Sequence, residues 1–223
     1  MAKKNTGKPD EQEKARKLTA AEEKRLARFE ARSEEMIRAG YVRKELTVGI
    51  MYANVFAVVL VIPVAAVCLG LFFLVNRGGG SFFAPGGFFV FCVLLLVLIV
   101  VHELIHGITW AAFAEHGWKD IEFGIMWQYL TPYCTCTVPL GKTQYIIGAL
   151  MPLLVLGILP AAAGILFGSF GAVLMGIIMI DAAAGDILIV RNILQYKAAG
   201  TVVYMDHPTQ AGGVIFEKKE QAS

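Results

Sequence analysis

The chain has 223 residues, 57% of them hydrophobic and 17% charged, with a formal net charge of +2. Its mean hydropathy of +0.61 is too high for an ordinary soluble domain, where roughly half the residues are apolar and a quarter charged. A balance this close to neutral offers no electrostatic footprint for nucleic acid, which is not expected as a partner.

The charge is unevenly spread. Residues 1–46 hold 13 of the 20 Lys and Arg and 9 of the 18 acids. They contain no apolar core of about 7–15 residues, so the start of the chain does not read as a cleavable signal peptide. Residues 10–39 read as a charged helix, with a capping box at Thr19-Ala20-Ala21-Glu22 and a stop at Gly40. Leu26, Phe29 and Ile37 make only a weak apolar stripe. The expectation is a solvated helix or partly disordered tail at a membrane surface.

Four apolar runs follow, near 48–76, 87–115, 143–168 and 171–195. Each is long enough for a hydrocarbon core, which takes about 20 residues. The first is too long for a signal-peptide core and should act as an uncleaved anchor. Pro63, Pro152 and Pro160 lie inside runs, where neighbouring helices can satisfy the freed backbone groups. The link Arg77–Gly87 is Gly-rich, and residues 168–171 leave room only for a tight turn. Arg38, Arg43 and Lys44 precede the first run, while Arg77 stands alone after it. Lys119 and Lys142 flank the second connection, and Arg191 and Lys197 flank the last run. This asymmetry places both termini and the loop 116–142 in the cytoplasm of a multi-pass cell-membrane protein.

Within that loop Ile121, Phe123, Ile125, Trp127 and Tyr129 alternate with other residues, the period of a strand. After Thr131-Pro132 a second extended run (Cys134, Cys136, Val138) completes a predicted hairpin. The alternative is an interfacial loop with aromatic anchors. Cys68 and Cys92 sit in apolar runs, where a free thiol behaves as a small hydrophobe. The Cys134–Cys136 spacing matches neither a disulfide framework nor a zinc C-x-x-C pair. Further on, Val202–Met205 and Val214–Phe216 read as short strands of a surface hairpin. His207 between them has an extra metal ligand or substrate contact as its other reading.

The fold class expected is an all-α membrane protein with about four transmembrane helices. A small cytoplasmic β-hairpin loop and a charged N-terminal helix accompany them. The organisation is a charged cytoplasmic segment over 1–46, a four-span body over 47–197 and a cytoplasmic tail over 198–223.

The feature that carries chemistry is His102-Glu103-Leu104-Ile105-His106, inside the second apolar run. On a helix the two histidines stand at i and i+4 and project from one face toward a shared ion. Glu103 can reach the remaining coordination position, take a proton from a water there, and return it to a leaving amine. Ionisable groups within a membrane span are costly and mark function, and three in five residues have few structural excuses. The expected metal is Zn²⁺.

Catalytic zinc takes three protein ligands and keeps a fourth position open. The extended pattern HExxHxxGxxH fails, because its last position is Ala112. His116 lies nearly three turns beyond His106, at the surface. Asp181 and Asp186 are the acids of the last run. Asp186 is about fifteen residues from the outer end of its span, as His102 is in its own, so at about 1.5 Å per residue their depths match. Asp181 would stand about 7 Å further out and on another face, where it could hold a ligand's outer partner or line a water path. The third ligand is therefore assigned to Asp186, with Asp181 as the alternative.

With His-Glu-Leu-Ile-His-Gly at 102–107, the aromatic loop containing Tyr133-Cys134, Pro152 opening the next span, and Gly185-Asp186, the chain resembles a known family. It is the bacterial family described as putative zincin peptidase, which is similar to the site-2-protease type of intramembrane metalloprotease. The resemblance runs over roughly residues 85–215 and leaves out the first 46. It implies His102, His106 and Asp186 as metal ligands and Glu103 as the catalytic acid and base. One departure stands. Site-2 proteases typically carry their ligand Asp in a Leu-Asp-Gly setting, and here it is Ala184-Gly185-Asp186-Ile187.

The function expected is a membrane-embedded zinc metalloendopeptidase that hydrolyses membrane proteins or peptides near the cytoplasmic side. Its partners are the lipid bilayer and an extended peptide substrate, paired with the strand-like loop 120–138; a homo-oligomer is compatible with so short a membrane body. The alternative is a non-proteolytic membrane protein with a structural or regulatory zinc site, against which Glu103 argues, since a closed structural site needs no general base. A metal transporter would need polar groups at several depths, and the first and third runs offer almost none.

Overall fold

The computed structural model describes residues 18–77, 87–126 and 131–219. Trp127, Tyr129, residues 78–86 of the Gly-rich link and residues 10–17 of the expected N-terminal helix lie outside the described residues.

The first helix, α1 (Ala20–Arg38), starts where its capping box predicts. The Thr19 N–H donates to the Glu22 carboxylate at 2.8 Å, and the Glu22 N–H donates to the Thr19 hydroxyl at 3.3 Å. Strand β1 (Val42–Thr47) follows. Two long apolar helices come next, α2 (Ile50–Asn76) and α3 (Gly87–Ala111). A short helical turn at Gly117–Asp120 leads into β2 (Ile121–Met126) and β3 (Thr131–Cys136). The two-residue β4 (Leu140–Gly141) opens directly into α4 (Lys142–Phe167). Helices α5 (Phe170–Ala182) and α6 (Ala184–Gln195) follow, then β5 (Gly200–Asp206) and β6 (Gly212–Lys219).

Helices α2, α3 and α4 have 27, 25 and 26 residues, so each spans roughly 40 Å, more than the hydrocarbon core of about 30 Å. Much of their apolar surface faces outward: Val58, Ile62 and Leu74 on α2 and Phe89 and Leu96 on α3 are all exposed. Soluble monomers rarely expose apolar surface on this scale. Among the described residues, three helices are thus long and apolar enough to cross a membrane. A fourth results if α5 and α6, bent by 48° at Ala183, form one broken span. No proline marks that break in the sequence. Beyond Pro152, α4 widens over Leu153–Ile158 into π-type turns before resuming its α-helical course. Small residues let α4 and α5 touch backbone to backbone; a side chain at Gly176 would sit 2.5 Å from the Ala161 nitrogen.

The all-α expectation needs correction. Alongside the predicted β2–β3 hairpin, the structure contains a four-stranded antiparallel sheet in the order β1-β6-β5-β4. The last hairpin is not a surface feature, because β6 lies between β1 and β5, and Val214, Ile215 and Phe216 are buried. Alternate residues face opposite sides. Tyr204 and Ile215 pack toward the helix ends with Trp110, Tyr145 and Ile193, whereas Met205, Val214 and Phe216 pack against Phe29 of α1. Over its described length the N-terminal helix is solvated on one side only: Arg25, Phe29 and Ser33 are buried, and α1 covers one face of the sheet. Phe29 supplies the apolar anchor, and Arg43 lies over its ring at 4.9 Å while bonding Glu30.

This connectivity positions the site. Strand β1 enters α2, α3 leaves into the β2–β3 hairpin, β4 enters α4, and α6 leaves into β5. Every strand thus lies at one end of the helices, and the cavity described below opens among them.

Candidate metal centre

His102 and His106 project one turn apart from α3, with ring centroids 4.9 Å apart and exposures of 6% and 4%. The break at Ala183 turns α6 so that Asp186, in its first turn, faces them. A carboxylate is favoured at that position by the helix's unpaired N–H groups. Asp186 Oδ2 lies 3.2 Å from His102 Nε2 and 3.5 Å from His106 Nε2. Ligand atoms around a tetrahedral zinc at about 2.0–2.1 Å are roughly 3.3 Å apart, so these spacings fit. One ligand atom from each of the three residues falls within 4.8 Å of the others, and among the described residues this is the one such group.

The surroundings orient these side chains. His106 Nδ1–H donates to the Gly148 carbonyl at 2.9 Å, which directs Nε2 toward Asp186 and keeps it available to a metal. Trp110 stacks on His106 at 5.1 Å and 15°, and its Nε1–H donates to the Tyr145 carbonyl at 3.2 Å. Gly148 is required for this. A Cβ there would collide with the Trp110 indole. His102 Nδ1 is buried and has no protein partner among the described residues.

Glu103 sits one residue along α3, half-buried, and faces the same cavity as Cys134 of β3. The β2–β3 hairpin packs on the helix here. Gly107 permits the approach, since a Cβ there would stand 2.5 Å from Phe123 and 3.3 Å from the Cys134 sulfur. The hairpin is held from its other side by Asp206, which accepts the Cys136 N–H at 2.9 Å and the Tyr145 hydroxyl at 2.5 Å. A ring of contacts therefore runs from His106 through Trp110, Tyr145, Asp206 and β3 back to α3.

Electrostatics outside the helices follow burial. Burial pushes the Asp206 carboxyl up to about 6, against the two hydrogen bonds that favour its charge. Cys136 is pushed up to about 12 and Cys134 also upward, so both remain thiols. His207 is held down to about 4 by burial. Its Nδ1 accepts the N–H groups of Thr209 and Gln210 at 3.2 and 3.0 Å, so it shapes the β5–β6 turn and stands outside the three-residue group.

A cavity of about 250 Å³ joins His102, Glu103, His106 and Asp186 to Tyr133 on the hairpin and to Arg25 on α1. Asp181 stays on α5 with one carboxylate oxygen buried and without a partner among the described residues, apart from the group. His116 pairs with Asp120 at 3.3 Å at the surface. Sequence reasoning missed Gly148, Tyr145, Asp206 and Arg25. Only Asp206 had a signal, in a turn sequence between two short strands.

Residues 95–200 match the family described as "Putative zincin peptidase". The match spans just under half the chain. It begins in α3, contains His102, Glu103, His106, Tyr145, Gly148 and Asp186, and ends at the start of β5. Helices α1 and α2, strand β1 and nearly all of the β5–β6 hairpin lie outside it. No curated protein and no solved structure matches the chain. The likeness suggests a zinc metallopeptidase, and the two-histidine, one-carboxylate donor set fits that metal.

Proposed function

We propose that the protein is a membrane-embedded zinc metalloendopeptidase that cuts membrane proteins or peptides near the cytoplasmic side. The observation that carries this reading is Glu103 beside the His102–His106–Asp186 group in one open cavity. A site built only to stabilise the fold would close around its metal and would need no carboxylate poised next to it.

In this reading His102, His106 and Asp186 hold the zinc. When bound, zinc supplies Lewis acidity toward the scissile carbonyl and toward water. Glu103 accepts a proton from the attacking water and passes it to the amine that leaves. Cys134 of β3 lines the same cavity as the Glu103 carboxylate. His106 keeps its orientation through Gly148 and Trp110. The substrate must be extended to present its peptide bond, and a helical substrate must first unwind, because its carbonyls are already bonded. Strand β3, which lines the cavity, is the proposed edge against which the extended segment lies. Lys and Arg near the helix ends support a cytoplasmic strand-bearing end, and with it cytoplasmic ends of the chain.

The test is cleavage and zinc content in parallel. Glu103→Gln should retain zinc and lose cleavage; a zinc-loaded variant that still cuts would refute the role given to Glu103.

A further inference from the structure

Helix α1 carries four arginines, and three of them have carboxylate partners. Arg28 pairs with Glu122, Arg32 with Glu35 and Glu115, and Arg38 with Glu34. Arg25 is the exception. It is the most enclosed of the four, at 9% exposure, and among the described residues no carboxylate lies within 4 Å of its guanidinium. Its Nε donates to the Pro208 carbonyl, and its guanidinium carbon lies 4.4 Å from the centre of the Tyr133 ring. These contacts fix the group in place. They leave its charge without a paired carboxylate among the described residues, in a poorly solvated position, an arrangement that is costly unless an anion arrives.

The position of Arg25 says where that anion comes from. Arg25 lines the same cavity as Glu103 and the metal-binding group. Tyr133, over whose ring it lies, is the neighbour in β3 of Cys134, and both line the cavity with Glu103. The two terminal nitrogens of the guanidinium retain the fork of donors that matches a carboxylate in a bidentate pair. Asp206, the other acid on this side of the cavity, has its oxygens engaged by Tyr145 and Cys136.

We propose that Arg25 is a substrate-anchoring residue that binds a carboxylate of the peptide, either an Asp or Glu side chain or a free C-terminus. It thereby selects acidic segments for the site within a few residues of the bond to be cut. The selecting group then belongs to α1, outside the region that carries the family likeness, so the catalytic apparatus and its specificity come from different parts of the chain. This inference rests on the peptidase reading for its substrate class.

The test uses the full chain in lipid nanodiscs, zinc-loaded and carrying Glu103→Gln, so that binding is read without turnover. A pool of random decapeptides is captured on it and the bound fraction sequenced. Bound peptides should be enriched in Asp and Glu at one register by about tenfold or more, as a charge-assisted bidentate pair warrants. If the C-terminus is the source, no register should be enriched and capture itself should be lost when the pool is amidated. Arg25→Gln should abolish the selection, and Arg25→Glu should redirect it to Lys and Arg, a reversal that only a folded site can show. The proposal is overturned if the parent protein shows no carboxylate selection, if Arg25→Gln selects as the parent does, or if Arg25→Glu fails to redirect. Failure of the peptidase reading is seen separately, as wild-type protein that binds the selected peptides and leaves them intact.

Discussion

Replacing Gly148 by alanine should weaken zinc binding without touching a ligand. A methyl group at this position would fall on Nε1 and Cδ1 of the Trp110 ring. Trp110 is 4% exposed, stacked on His106 and bonded to the Tyr145 carbonyl, so its ring cannot yield without moving His106 or breaking a buried hydrogen bond. Overpacking of this kind costs about 1–3 kcal/mol. Displacing the groups that orient a metal ligand costs about 10–100-fold in affinity, or about 1.4–2.7 kcal/mol. The two routes converge on a zinc affinity lowered by one to two orders of magnitude, roughly. Competition against a chelator of known affinity reads this directly, and tryptophan emission reports on the ring. Gly185→Ala is the control. It adjoins Asp186, yet a Cβ there meets nothing within 4 Å, and alanine stabilises a helix by up to about 1 kcal/mol over glycine. It should leave zinc affinity unchanged. Wild-type affinity and unchanged emission in Gly148→Ala would refute the claim that Trp110 and Gly148 set the His106 geometry.

Asp186→Ala should lower zinc affinity beyond the roughly 100-fold that an outer partner accounts for, whereas Asp181→Ala should lose less; the reverse order in metal analysis would transfer the ligand role. Asp206 is raised to about 6 in the fold, so its contribution to stability is complete below about pH 4 and lost as pH rises through 6. His207 is lowered to about 4, so its contribution is present above about pH 6.5 and lost as pH falls through 4. The two slopes oppose each other, and Asp206→Asn should leave stability rising with pH across this window in denaturation curves; a slope equal to wild type would contradict the assignment. Cys134 and Cys136 are buried thiols held protonated, so both should alkylate near pH 8 at least about tenfold more slowly than in unfolded protein. Rapid labelling of either in the folded state would show that β3 opens.

The sequence made the grouping of His102, His106 and Asp186 legible and hid its setting. Two histidines a turn apart and an aspartate at matched depth in another helix depend only on helical rise, which any apolar run shares. The 48° bend at Ala183 that completes the group carries no proline and no charge change, so it could not be foreseen. Similarly, the alternation in 121–125 announced the β2–β3 hairpin by itself. The four-stranded sheet joins Val42–Thr47 to Gly212–Lys219 across almost the whole chain, and no local period reports such pairing. Helix α1 read as solvated because charged residues of both signs dominate its sequence. The structure shows Arg25 and Phe29 turned inward, with the arginine stem packed and its head against a ring.

The account stands or falls on Glu103. Purified wild type and Glu103→Gln, each loaded with zinc and supplied with the same peptide pool, should hold one zinc per chain alike. Only the wild type should release new amino termini, with the variant slower by a factor of about 100 or more. Equal release by both proteins, or none by the wild type on peptides that it binds, would contradict the peptidase assignment.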